Sequence, residues 1–97
     1  MENLKEKLTG EREKARWLML EEHNKREALL IVATDLDLID VAVAVASDDV
    51  KLIKTLLDSE QLKRPDETMV KLFEEETDFN FNFVIIQPYV LAQKIEE

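Results

Sequence analysis

The stretch Ala28-Leu29-Leu30-Ile31-Val32-Ala33-Thr34-Asp35-Leu36-Asp37-Leu38-Ile39-Asp40-Val41-Ala42-Val43-Ala44-Val45-Ala46 decides what kind of fold this chain can form. Its opening, Ala28 to Ala33, is short and continuously apolar, the pattern of a buried strand. Thr34-Asp35-Leu36-Asp37 then has the spacing of a capping box, with Asp in place of the usual Glu at the third helical position, so a helix is expected to start at Asp35. The following residues carry two patterns at once. Leu36, Leu38, Val41, Val43 and Val45 alternate piecewise with Asp and Ala, which suits a valine-rich strand. Ala42, Ala44 and Ala46 favour a helix, however, and Leu36, Ile39, Val43 and Ala46 fall at helical spacing. The helix reading is preferred, which makes the segment a strand running directly into a helix.

Working outward towards the C-terminus, Ser47-Asp48-Asp49 punctuates the chain, and either Ser47 or Asp48 can cap a helix marked by Val50, Ile53, Leu56 and Leu57. Asp58-Ser59-Glu60-Gln61 repeats capping-box spacing and leads to Leu62 in a short turn. Pro65-Asp66 opens a further helix carrying Met69, Val70, Leu72 and Phe73. The run Glu74-Glu75-Glu76 closes it at the end of the dipole that disfavours carboxylates, and is read as a solvated face. From Asp78 the period changes to two. Phe81, Phe83 and Ile85 fill one face of a strand and Val84 and Ile86 the other, so that one end is covered on both sides. Pro88 is expected to interrupt the ladder by removing a donor, with Tyr89 to Ile95 continuing as a second, kinked strand.

Towards the N-terminus, Glu11 to Lys25 contains no glycine, proline or β-branched residue and reads as one helix. Thr9 is its expected cap, Ala15, Leu18, Met19 and Glu22 share a face, and Glu21–Lys25 and Glu22–Arg26 are correctly oriented pairs. Leu4 and Leu8 could extend it across Gly10. The expected class is therefore α+β, with three to four helices packed against a small two- or three-stranded sheet formed by residues 28–33 and 82–95. With 97 residues, 45% of them hydrophobic, the chain is expected to form a single domain, 1–97, around one core.

Charge narrows the partners. Residues 1–27 hold seven acidic and seven basic side chains, whereas the remaining 70 hold 15 acidic and six basic ones and so carry the whole net charge of −9. Such a surface repels phosphate backbones and anionic lipid, because binding to either rests on Lys and Arg. Nucleic acid and membrane are therefore not expected as partners; a basic protein or a homo-oligomer is. Zero cysteines exclude a disulfide framework, a thiolate zinc site and a cysteine nucleophile. The N-terminus lacks a signal-type apolar core, and no run approaches the roughly 18 apolar residues of a membrane span. The expected compartment is cytoplasmic.

The lone histidine, His23, titrates closest to neutrality and lies near Arg26 at the end of the first helix. Trp17, six residues away, projects about 120° from it. A structural, hydrogen-bonded His23 is the favoured reading, and one histidine cannot build a multi-histidine zinc site. Asp35, Asp37 and Asp40 lie roughly 16 Å along the predicted helix from Asp48 and Asp49, too far to converge through that helix on one cation. Helix capping accounts for Asp37, Asp48 and Asp49. No metal or cofactor is expected, and no glycine-rich phosphate loop exists. Trp17 and Tyr89 are interface candidates that a small core is expected to bury. Arg26 is expected to contact Asp35 or Asp37 and so to fix the first crossover.

In order and spacing, several fragments resemble a small uncharacterised bacterial family, domain of unknown function 2288. They are Leu8, Glu11, Ala15, Trp17, Leu20, His23 and Arg26; Leu36-Asp37-Leu38 with Val41-Ala42 and Ala46; Asp48-Asp49; and Gln87-Pro88-Tyr89-Val90-Leu91. The resemblance implies a small bacterial or cyanobacterial cytoplasmic protein and transfers no chemistry. Two functions follow. The first is a non-catalytic cytoplasmic domain acting through protein contacts, as a homo-oligomer, on the strength of Phe79, Phe81 and Phe83 beside a sheet with edges. The alternative is a small acid–base or hydrolytic enzyme using His23 with Asp35 or Asp37.

Overall fold

The computed structural model describes residues 3–75 and 80–95. Among them are five helices and five strands, more than the three to four helices and two or three strands expected, although the α+β class stands.

The expected single helix over 11–25 is replaced by three elements. Helix α1 runs from Leu4 to Glu11, and Asn3 caps it by accepting from the Lys5 N–H at 2.9 Å. Thr9 is no cap: it lies within α1 and donates its hydroxyl to the Lys5 carbonyl. The chain then extends as β1, Glu13–Arg16, and α2 begins at Trp17 and ends at Lys25. Burial explains the break. Ala15 and Trp17 are both buried, yet residues two apart point about 200° apart on a helix and to one side of an extended chain. Helix propensity, a few tenths of a kcal/mol per residue, loses to that requirement. Leu18 and Met19, expected to share a face with Ala15, are exposed, while Ala15, Trp17 and Leu20 are buried.

The apolar run forms β2, Leu29–Val32, and the ambiguous valine-rich segment is helical, as α3, Leu38–Ala46. Helix α4 spans Val50–Asp58, β3 is the two-residue Leu62–Lys63, and α5 covers Glu67–Glu75. Strands β4, Asn80–Ile86, and β5, Tyr89–Lys94, form a hairpin rather than a kinked continuation. Ile86 pairs with Tyr89 across a turn at Gln87 and Pro88, so Pro88 takes no donor from the ladder.

Aspartates start three helices, though not always the expected ones. Asp37 accepts from the Ile39 and Asp40 N–H groups, at 2.9 and 3.4 Å, so α3 starts at Leu38 and not at Asp35. Asp49, rather than Ser47 or Asp48, caps α4 through the Leu52 N–H. Asp66 accepts from the Met69 N–H at 2.8 Å. That bond, with help from the Lys63 cation, holds the Asp66 carboxyl below its ordinary value. A depressed folded-state value means that the associated stability is present above the ordinary carboxylate range and is lost as pH falls through the folded value. In an NMR titration Asp66 should have its midpoint below 3.8, with the Met69 amide moving alongside. A midpoint at or above 3.8 would show that the cap is not made.

Helix ends are handled without glycine. After α2, α3 and α4 the chain passes through Glu27, Asp48 and Glu60, whose φ values are 62°, 56° and 61°. Their N–H groups donate to the carbonyls of Asn24, Val45 and Leu57, and those of Ala28, Asp49 and Gln61 to His23, Ala44 and Leu56. This paired closure is the one in which glycine usually takes the left-handed position. The single glycine, Gly10, instead sits inside α1 with open space where a Cβ would be. A side chain in the left-handed region costs about 1–2 kcal/mol, and glycine's greater unfolded freedom takes back about 0.4–1 kcal/mol. Glu60→Gly should therefore raise stability by about 0.5–1 kcal/mol, read by urea unfolding; a decrease would refute the strain account.

The strand order is β1-β4-β5-β2-β3. Only the β2–β5 pair is parallel, with Leu29 opposite Val90 and Ile31 opposite Ala92. Side chains alternate between two cores. Val32, Leu62, Val84 and Leu91 pack with α1, α3 and α4. Leu29, Ile31, Phe81, Phe83, Val90 and Ala92 pack with α2 and α5 on the other face. The edges are blunted: β1 exposes Glu13, Lys14 and Arg16, and β3 is followed closely by Pro65. Phe81 and Phe83, whose abundance suggested association, are core residues; Phe79 lies outside the described residues.

Candidate functional site

Helix α4 is amphipathic over a wider arc than the core beneath it covers. Leu56 is buried, Ile53 is half-buried, and Val50 and Leu57 remain 64% and 46% exposed. Val50, Ile53 and Leu57 stand at i, i+3 and i+7, one stripe of the helix. Beside this stripe the fold places the end of α3 and the start of β5. The result is a groove of about 350 Å³ with Leu30, Val45, Ile53 and Leu62 below, and Val50, Leu57, Asp48 and Tyr89 around it. Tyr89, at the first position of β5 after the Gln87-Pro88 turn, is 43% exposed, against the expectation that it would be buried. Asp48 occupies the left-handed position after α3, which turns the chain into α4. Two fragments of the family resemblance, Asp48-Asp49 and Gln87-Pro88-Tyr89, thus meet at one place.

The other sequence candidates go to structural work. The Arg26 guanidinium donates to His23 Nδ1 at 2.6 Å across the last turn of α2. It does not reach Asp35 or Asp37, so the expected crossover contact is absent among the described residues. Asp37 is engaged as the α3 cap, Asp40 pairs with Lys5 at 3.0 Å, and Asp35 is an exposed turn residue. The loop leading to α3 is held from another direction: Gln93 Nε2 donates to the carbonyls of Ala33 and Leu36 at 2.8 and 2.6 Å. Nothing in the local pattern around Gln93 marked it. Val50 and Leu57 were readable as an apolar stripe, but only packing reveals which part of a stripe stays open.

Trp17 is buried, its ring tilted against Phe73 at a centroid distance of 5.2 Å. Its indole N–H has no hydrogen-bond partner and is closed off from solvent. A smaller cavity of about 230 Å³ lies next to it, between Arg16, Leu18, Glu21 and Glu74. The sealed N–H is out of reach of a molecule resting there unless the side chains move.

No helix among the described residues is long and apolar enough to cross a membrane. The fold and groove define a small α+β domain with helices on both faces of a mixed sheet and an open apolar recess beside its hairpin turn. The chain belongs to the family described as protein of unknown function (DUF2288), whose profile matches residues 3–94. It is similar to PA1075 from Pseudomonas aeruginosa, known from an NMR solution structure, at 33% sequence identity and a TM-score of 0.83 over 100% of this chain and 89% of that one. No curated protein matches the chain.

Proposed function

We propose that this protein is a non-catalytic cytoplasmic domain that acts by contact with another protein, through the groove between α3, α4 and the β4–β5 turn. The observation that carries this reading is the placement of Val50, Leu57 and Tyr89, three large and substantially exposed side chains, around one apolar recess. Scattered exposed apolar residues are ordinary on a folded surface; a contiguous concave set marks interaction sites. The polar candidates support catalysis less well, since the His23 ring is bonded to a guanidinium and Asp37 to backbone amides. A general acid–base pair needs a histidine and a carboxylate within hydrogen-bond reach of each other or of a common substrate.

The test is an NMR experiment on ¹⁵N-labelled protein titrated with clarified lysate of the source organism. Selective loss of amide intensity at Val45, Val50, Leu57 and Tyr89, abolished by Leu57→Asp, is the expected result. Line broadening centred elsewhere, or none at all, would overturn the reading. Because Leu57 is substantially exposed, the aspartate variant is expected to fold, and its dispersed spectrum checks that directly.

A further inference from the structure

Resting on that contact reading, we infer that the groove takes a segment of another protein that lays apolar side chains on Leu57 and Tyr89 and sets a Lys or Arg against Asp48. Asp48 is the one charged side chain lining the groove. Its carboxylate makes no ion pair or hydrogen bond among the described residues, while its backbone is committed to closing α3. The helix ends beside it offset one another, since α3 brings its negative C-terminus and α4 its positive N-terminus to the same place, so the carboxylate itself sets the sign. A cation arriving there meets this unpaired carboxylate on a part of the chain, residues 28–97, that holds 15 acidic against six basic side chains. An uncharged or acidic segment leaves the carboxylate unanswered.

The shape of the site selects among cationic partners. A small amine would be covered on one side only, because Val50, Leu57 and Tyr89 form an open rim, whereas small-molecule sites enclose most of their ligand. A peptide segment covers floor and rim together. A second copy of the chain is disfavoured by charge, since residues 28–97 carry 15 acidic against six basic side chains and pairing such surfaces brings like charges together.

The experiment uses the full chain and two synthetic amphipathic peptides, one of leucine and lysine and one of leucine and glutamate, followed by ¹⁵N NMR and fluorescence anisotropy. The lysine peptide is expected to shift the amides of Val45, Val50, Leu57 and Tyr89 and to bind at least about tenfold more tightly than the glutamate peptide. Asp48→Asn should weaken it about threefold or more and reduce its salt dependence, while Asp35→Asn, which removes an exposed carboxylate elsewhere, should not. Equal binding of the two peptides, or an affinity insensitive to Asp48→Asn, would overturn the cationic partner yet leave the contact reading standing. Shifts outside the groove, or none, would overturn the site and chemistry proposed here, and the lysate titration then judges the contact reading separately. A dimer by light scattering that Leu57→Asp dissociates would name a second copy as the occupant and overturn the inference.

Discussion

Phe81→Ala is expected to remove about 3–5 kcal/mol of stability, a large share of the 5–15 kcal/mol that a small domain usually has. Phe81 is 0% exposed, and its ring meets that of Phe73 edge-on at 5.1 Å, which in turn lies against Trp17. Truncation therefore removes transfer energy, opens a cavity and breaks an aromatic chain linking β4 to α5 and α2. Ile85, on the same face of β4 but 45% exposed, provides the internal control: Ile85→Ala should cost less than about 1 kcal/mol. Urea unfolding followed by the fluorescence of the single tryptophan measures both. If the two substitutions cost the same, the core on the α2–α5 face is not packed as described.

That pair of substitutions also marks where the sequence was legible. Phe81, Phe83 and Ile85 were placed on one face of a strand by their period of two, and Val84 on the other; Phe81 and Phe83 pack in one core, Val84 in the other, and Ile85 lines a surface recess together with Phe83. Residues 28–46 resolved into strand and helix because the alanines and the helical spacing of Leu36, Ile39, Val43 and Ala46 agreed with each other, although the helix starts under an Asp37 cap and not at Asp35. How far along a face burial extends was not legible, since it depends on what packs above it. Ile85 and Leu57 are apolar residues on well-identified stripes that nevertheless reach solvent.

The break at Arg12 to Arg16 shows a different limit. Every residue from Glu11 to Lys25 favours or tolerates a helix, and the strand exists because β4 supplies a partner about seventy positions away, with Ala15 opposite Phe81. How the helices end was not legible, although where they end was: turns are inferred from glycine, and this fold places Glu27, Asp48 and Glu60 in the left-handed positions. Asp58-Ser59-Glu60-Gln61, read as the end of a helical stretch, closes α4. The site shares this fate: Asp48 was read as a cap and Tyr89 as core, and only the hairpin turn brings them to the same groove.

Gln93→Leu should cost about 2–3 kcal/mol even though leucine is similar in size and more apolar, because the loss is in hydrogen bonds rather than in packing. The Gln93 side chain is half-buried and donates to two carbonyls of the loop between β2 and α3. The Ala33 carbonyl also accepts from the Leu36 N–H, so the Leu36 carbonyl is the acceptor left more exposed to the loss. This amide performs the work expected of Arg26, fixing the crossover that leads into α3, and does so from the strand next to β2. Arg26→Ala, removing an exposed partner of His23, should accordingly cost under about 0.5 kcal/mol. Gln93→Glu separates bonding from packing. An ionised carboxylate has no proton to give either carbonyl, so this variant should be destabilised at neutral pH relative to wild type. Below about pH 4, where the carboxyl gains a proton, part of that deficit should return. A Gln93→Leu protein as stable as wild type, or a Gln93→Glu deficit that does not shrink on acidification, would show that the loop is held by its own turn and not by β5.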